Sequence, residues 1–196
     1  MAEEQRPRRR WMRRVLIGAA IVLVAAFVGV SLFAGNYLVD YALTVNDDGT
    51  LGSMNGAAYT GVQDTEAQRT YDAWVEGREL DEWTIESEDG LSLWAQYYPA
   101  AGESHRYVLA VHGYTVDHRD IAPAIVPFVE AGYNVLAPDE RGRGNSEGDF
   151  LSMGYFEKRD VIAWASEIVA RDARAQIVLY GESMGAATVL MAAGED

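Results

Sequence analysis

The sequence contains no cysteine among its 196 residues. A disulfide framework and a thiolate metal site are therefore excluded, and the redox compartment of the protein stays undetermined. Lysine is nearly absent as well, because Lys158 is the sole lysine in the chain. The sequence shows neither a metal-ligand cluster nor a phosphate-cradling glycine loop, and it therefore predicts no metal and no other cofactor.

Positive charge is scarce beyond the first residues of the chain. The net charge is −14, but residues 1–14 carry six arginines and two glutamates, which sum to +4. The other residues then carry 10 basic and 28 acidic side chains, a net charge of −18. A domain this acidic argues against nucleic acid or an anionic membrane face as a partner.

The basic residues 1–14 precede an uncharged run over residues 15–35. About 20 such residues span the roughly 30 Å hydrocarbon core of a bilayer, so this run predicts a transmembrane helix. The basic flank favours a cytoplasmic N-terminus and an extracytoplasmic domain. A cleaved signal peptide is the alternative, but its apolar region covers about 7–15 residues, and residues 32–34 form a poor cleavage site. An uncleaved signal anchor is therefore favoured.

The rest of the chain divides at a change in composition. Residues 36–82 predict a stalk and linker rich in glycine, serine and asparagine, with one helical segment over residues 65–75. Residues 83–196 predict a folded domain that begins with a strand hairpin over residues 83–98. Strands then alternate with helices, with strands at 106–111, 133–137 and 177–180 and helices at 117–131 and 156–170. This order is typical of a parallel sheet with helices on both faces. In the second helix, apolar spacing predicts an inward face made by Val161, Ile162, Ala165, Ile168 and Val169.

Ser183 lies in a Gly-x-Ser-x-Gly turn between an apolar strand and an alanine-rich helix. Gly181 and Gly185 are needed because a side chain at either position would collide with the neighbouring strand or helix. The pattern is typical of a nucleophile elbow, in which the serine has a strained backbone and an exposed hydroxyl at the carboxyl end of the sheet. The helix start that follows favours negative charge at the same point. Ser183 is therefore the predicted nucleophile.

A nucleophilic serine also needs hydrogen-bond donors for the oxyanion that forms during its attack. The backbone N–H of Met184, which follows the nucleophile, is one predicted donor. The N–H of Tyr114 is the other, in the His112-Gly113-Tyr114 loop after the strand at 106–111. Gly113 would let this backbone approach the nucleophile closely.

Three motifs occur in the order found in the α/β hydrolases. They are Val111-His112-Gly113-Tyr114, Asp139-x-Arg141-Gly142-x-Gly144-x-Ser146 and Gly181-Glu182-Ser183-Met184-Gly185. The chain resembles the bacterial membrane-anchored α/β hydrolases of the serine aminopeptidase-like type. This resemblance implies an antiparallel start followed by a parallel sheet, with Ser183 as nucleophile and Tyr114 and Met184 as oxyanion donors. It also implies acyl-enzyme chemistry on an ester, amide or thioester carbonyl of a small-molecule or lipid-like acyl substrate.

The chain departs from this family after the nucleophile. The family order is Ser, then Asp or Glu, then His, but the thirteen residues after Ser183 contain no histidine. His105, His112 and His118 all precede Ser183, so neither a triad acid nor a triad histidine is assigned. We expect the chain to be the N-terminal part of a longer hydrolase and to be inactive alone. A non-catalytic, membrane-tethered binding module is the alternative.

Other polar and aromatic residues near the motifs have structural explanations. The resemblance implies that His112 shapes the oxyanion loop and that Asp139 shapes the loop after its strand. His105 and His118 are expected at the surface. Internal ion pairs are the predicted role of two arginines, Arg141 and Arg143, with Asp139, Glu140 or Glu147 as partners. Three apolar residues are expected to pack at a helix start: Met153, Tyr155 and Phe156.

Overall fold

The computed structural model describes residues 5–46 and 66–195, with side chains from Arg10 onward. The chain forms two compact units, Met1–Ala42 and Leu43–Asp196. The glycine- and serine-rich part of the predicted linker lies outside the described residues.

The first unit contains the helix α1, which runs over Gln5–Leu43. Its stretch Arg10–Leu43 has a mean hydropathy of 2.8 in its most apolar window, and none of that window is buried. The helix is therefore long and apolar enough to cross a membrane, and it contains the predicted span of residues 15–35. It continues eight residues beyond that span, to Leu43, where the sequence predicted the stalk to begin.

The second unit contains a five-stranded mixed sheet. Its helices are α2 (Glu66–Val75), α3 (Ala122–Glu130), α4 (Glu157–Arg171) and α5 (Met184–Ala193). Its strands are β1 (Asp81–Glu86), β2 (Ser92–Tyr98), β3 (Arg106–Val111), β4 (Asn134–Pro138) and β5 (Gln176–Gly181). The strand order is β1-β2-β4-β3-β5, with antiparallel pairs at β1–β2 and β2–β4 and parallel pairs at β3–β4 and β3–β5. The predicted fold class is confirmed.

Apolar side chains cover both faces of the sheet, because successive residues of a strand point to opposite sides. In β3, Val108 belongs to the cluster under α3, and Leu109 belongs to the cluster under α4 and α5. Tyr71 of α2 packs with the first cluster, and its hydroxyl lies 2.7 Å from that of Tyr98. Trp164 of α4 is 1% exposed in the second cluster.

Two predictions of local structure are wrong in detail. The single helix predicted over 117–131 is a 3-10 turn at His118–Ile121 followed by α3, because Asp117 caps the turn and a proline opens the helix. In α4, Ile162 and Val169 are 40% and 49% exposed instead of facing inward. Trp164 fills the inward position that the apolar spacing did not assign.

The segment directly after α1 is part of the second unit. Val45 N–H donates to Asp149 O at 2.8 Å, and Leu151 N–H donates to Leu43 O at 2.8 Å. Thr44 bridges Phe150 in an antiparallel pairing. Residues 43–45 thus extend a loop of the folded domain as a short two-stranded ribbon.

Candidate active site

Ser183 stands between β5 and α5 in a backbone conformation that few residues adopt. Its φ is 50° and its ψ is −113°. Among the described residues it is one of three non-glycine residues with a positive φ. Its side chain is exposed, while Met184 next to it is buried. The strand, turn, helix order and the strained serine predicted for the nucleophile turn are both present.

Close approach of backbone explains the two glycines of this turn. A β-carbon on Gly181 would collide with the carbonyl of Gly185. A β-carbon on Gly185 would collide with the carbonyl oxygens of Val111 and His112 at the end of β3. The turn therefore closes on itself and against β3 only with glycine at both positions.

The loop after β3 lies beside Ser183. A β-carbon placed on Gly113 would be 3.4 Å from the Cβ of Ser183. Glu182 N–H donates to Val111 O at 3.1 Å, which fastens the nucleophile turn to the end of β3. The structure thus brings together the two backbone segments that contain Tyr114 and Met184. Their role as oxyanion donors stays a prediction.

His112 connects this loop to the residues that follow β4. Its Nε2 accepts from Glu140 N–H at 2.9 Å, so the ring proton is on Nδ1, which then donates to Gly113 O at 2.8 Å. Burial lowers the pKa of His112, and the imidazole is neutral. Both ring nitrogens are used, so His112 braces the His112-Gly113-Tyr114 loop against the residue that follows Asp139.

Asp139 organises the loop after β4. This fully buried carboxylate accepts from His118 N–H at 2.9 Å, His118 Nδ1 at 2.8 Å and Asn145 N–H at 2.9 Å. His118 was predicted to lie at the surface, and this prediction is wrong. Its side chain is 12% exposed and hydrogen-bonds Asp139. No local sequence signal relates the two, which are 21 residues apart.

Two arginines hold the same loop in place. Arg143 donates to Thr115 O at 2.5 Å and to Val116 O at 3.1 Å, directly after the oxyanion loop. Arg141 forms the predicted internal ion pair, but with different partners. It contacts Asp160 of α4 at 2.7 Å and Asp89 of the β1–β2 turn at 2.8 Å.

One group of side chains has the composition of a metal site. Single ligand atoms of Asp117, His118 and Asp139 lie within 4.8 Å of one another. Asp117 is already used by Arg119, whose N–H and guanidinium donate to it, and Asp139 is hydrogen-bonded by His118 and Asn145. Internal pairing explains this group of residues, and we assign no metal to it.

The remaining predicted residues lie apart from the nucleophile or are more exposed than expected. His105 is 31% exposed and hydrogen-bonds Asp172 at 2.6 Å, at the edge of the sheet where β3 begins. The rings of Tyr155 and Phe156 pack against each other with centroids 5.0 Å apart. Three apolar residues of the loop before α4 are more exposed than predicted: Met153, Tyr155 and Phe156.

Comparison with known proteins agrees with this geometry. Residues 102–196 match the family model described as Serine aminopeptidase, S33. The uncharacterised protein YqkD of Bacillus subtilis is 33% identical over 99 residues, which are 50% of this chain and 32% of that protein. The Pyrococcus furiosus esterase Pf2001 superposes with a TM-score of 0.56 at 29% identity, over 60% of this chain and 47% of the esterase.

A further solved structure shares the fold alone. XC6422 of Xanthomonas campestris, an α/β serine hydrolase without a lid, superposes with a TM-score of 0.52 at 24% identity. The match covers 59% of this chain and 56% of that protein. The chain thus spans about a third of the curated relative and about half of each solved protein that it resembles.

Proposed function

The folded part of this chain belongs to the α/β hydrolases, and from that premise we propose that it supplies the nucleophile of a serine hydrolase, Ser183. The substrate is an acyl compound with an ester, amide or thioester carbonyl. The observation that carries the proposal is the positive φ of Ser183 beside the His-Gly loop. A strained serine held against a second backbone segment is the arrangement that acyl transfer requires.

The reaction follows from the groups around the nucleophile. The Ser183 hydroxyl attacks the carbonyl carbon, and the oxygen that becomes negative is received by the backbone N–H groups of Tyr114 and Met184. The leaving group departs, and water then hydrolyses the acyl-enzyme. Gly113 and Gly185 permit the close approach of the two donor segments.

The base that accepts the proton of Ser183 is none of the three histidines in this chain. Both ring nitrogens of His112 are already hydrogen-bonded. His118 donates its Nδ1 proton to Asp139, and His105 is paired with Asp172 at the opposite edge of the sheet. The family order, in which the acid and the histidine follow the nucleophile, supports a base outside these residues.

The membrane assignment is part of the same proposal. We infer that α1 is an uncleaved signal anchor, with residues 1–14 in the cytoplasm and the hydrolase domain on the other side. The uncharged helix and its arginine-rich flank support this orientation.

Covalent labelling tests the role of Ser183. The protein expressed from its complete reading frame should react with a fluorophosphonate probe, and Ser183→Ala should abolish the label. The same variant should lower the kcat for a p-nitrophenyl ester by about 10⁴-fold or more. Ser166→Ala is the matched control, because Ser166 is an exposed serine on α4 and should leave both readouts unchanged.

The labelling experiment also distinguishes the serine hydrolase from the non-catalytic binding module. Unchanged labelling in Ser183→Ala would exclude Ser183 as the nucleophile. A folded protein that neither reacts with the probe nor hydrolyses the ester would favour the non-catalytic binding module.

A further inference from the structure

An exposed apolar surface lies in the loop that leads into α4. Met153, Tyr155 and Phe156 are 44%, 58% and 37% exposed. The buried Glu157 carboxylate accepts from the backbone N–H groups on either side of Met153, at 2.7 and 2.8 Å. Met153 itself has a φ of 57°. The fold thus stabilises a strained loop that presents these apolar side chains to solvent.

The same loop begins with the residues that pair with the segment after α1. Residues 149–151 hydrogen-bond residues 43–45. The predicted span ends at Gly35, and the helix continues over residues 36–43, a rise of about 12 Å at 1.5 Å per residue. The interfacial layer of a bilayer is about 5–8 Å thick on each side of the hydrocarbon core. By chain length alone, residues 149–151 lie within reach of a membrane that α1 spans.

The loop also contacts the helix that follows the nucleophile. A β-carbon on Gly154 would be 3.2 Å from Thr188 Oγ1, and this hydroxyl donates to Met184 O at 3.0 Å. Thr188 is one helical turn, about 6 Å, from the start of α5. The same β-carbon would also collide with the Met191 side chain, so the loop lies along α5, the helix that Ser183 precedes.

The charges beside this surface are paired within the protein. Lys158 forms an ion pair with Glu195, and Arg159 lies 3.0 Å from Glu88. No lysine or arginine in this part of the loop is left for acidic headgroups, and the domain as a whole is acidic. The side chains instead resemble those that sit at a neutral membrane interface, where tyrosine rings place an apolar body against lipid and a hydroxyl in water.

We propose that Met153, Tyr155 and Phe156 form a membrane-contact surface that inserts into the interfacial layer of a zwitterionic bilayer. The contact requires α1 to span that bilayer. Its consequence for the substrate rests on the proposed function of Ser183: an acyl chain that leaves the bilayer at this surface enters along α5, the helix that the nucleophile precedes. The substrate class is then a membrane-held acyl compound.

The absence of cysteine from these 196 residues permits site-specific labelling within them, which tests the contact directly. Tyr155→Cys is labelled with the fluorophore NBD in the complete protein, reconstituted into phosphatidylcholine vesicles that contain doxyl-labelled phosphatidylcholine. Glu130→Cys is the control, because Glu130 is exposed at the far end of α3. Met153→Cys is a second probe position. We expect the doxyl lipid to quench the probes at 155 and 153 about twofold more than the probe at 130, since insertion reaches about 5–10 Å into the interface.

Equal quenching at positions 155, 153 and 130 would overturn the proposal. Protection of positions 155 and 153 from both the doxyl lipid and aqueous iodide would also overturn it, because protein would then cover the surface. Fluorophosphonate labelling of Ser183 in the same samples keeps the two proposals separate. Lipid quenching at 155 and 153 without labelling of Ser183 would support the membrane contact and refute the serine hydrolase. Labelling of Ser183 without lipid quenching would support the serine hydrolase and refute the membrane contact.

Discussion

The carboxyl group of Glu140 is buried beside His112, and neither of its oxygens has a hydrogen-bond partner among the described residues. Burial raises the pKa of Glu140 well above its ordinary value, and the negative charge of Glu157 raises it further. The folded protein therefore favours the protonated form of Glu140 more strongly than the unfolded chain does. The backbone N–H of the same residue donates to His112.

Glu140→Gln should stabilise the protein most at high pH. A carboxyl whose pKa is raised in the folded state lowers the free energy of unfolding as pH rises from the unfolded-state pKa, about 4.3, toward the folded-state pKa. The loss is up to about 1.4 kcal/mol per pH unit. A glutamine at the same position does not titrate and causes no such loss. The free energy of unfolding of the variant minus that of the parent, from urea titrations at pH 5 to 8, should therefore grow with pH.

Glu130→Gln serves as the control for this series, because Glu130 is exposed. Its difference from the parent should stay near zero at every pH. A flat difference for Glu140→Gln would show that Glu140 is ionised in the folded state.

Arg141 connects three elements that the sequence separates widely. Its guanidinium is 6% exposed and forms two hydrogen bonds to Asp160 of α4, both at 2.7 Å. It also contacts Asp89 in the turn between β1 and β2. The loop that holds the oxyanion segment is thereby fixed to a helix and to a hairpin at once.

Arg141→Met should destabilise the protein by about 3–5 kcal/mol, because it leaves the buried carboxylate of Asp160 without its partner. Arg159→Met is the matched control, since Arg159 and its partner Glu88 are 48% and 73% exposed. It should cost at most about 1 kcal/mol. Thermal or urea unfolding of both variants measures the difference, and equal losses would contradict a structural role for the Arg141 pairs.

These elements also show what the sequence could predict. The turn at Ser183 was predictable because its constraints are local: Gly181 and Gly185 lie two residues on either side of the serine. The partners of Arg141 were not, because Asp160 and Asp89 are 19 and 52 residues away and meet it only in the folded state. The hydrogen bond between His118 and Asp139 was missed for the same reason.

The face that a helix buries was only partly predictable. Apolar spacing in α4 correctly placed Val161 and Ile168 inward, and the structure adds Trp164. Ile162 and Val169 were also assigned inward, but they line an open apolar groove between α4 and β5. Periodicity identifies an apolar helix, but neighbouring elements decide which part of that apolar surface is covered.

At the scale of the whole molecule, the second compact unit begins at Leu43, the last residue of the long apolar helix α1. Residues 43–45 contribute two backbone hydrogen bonds to the domain, and Val45 packs on Gly142, where a β-carbon would approach its Cγ2 to 3.0 Å. The next residue, Arg143, donates to the carbonyls that follow the oxyanion loop. The segment after the helix thus supports the loop that contacts the candidate active site.

Truncation on either side of this segment should therefore have unequal effects. The complete protein without residues 1–42 should keep the stability of its folded domain, whereas removal of residues 1–45 should lower the free energy of unfolding by about 1–2 kcal/mol, because each lost hydrogen bond contributes about 1 kcal/mol. For a domain of this size, each kcal/mol shifts the Tm by about 2–4 °C. Val45→Pro in the untruncated protein removes one donor and should lower the Tm in the same direction. Identical Tm values for the two truncations would mean that residues 43–45 contribute nothing to the domain and that its boundary lies nearer β1.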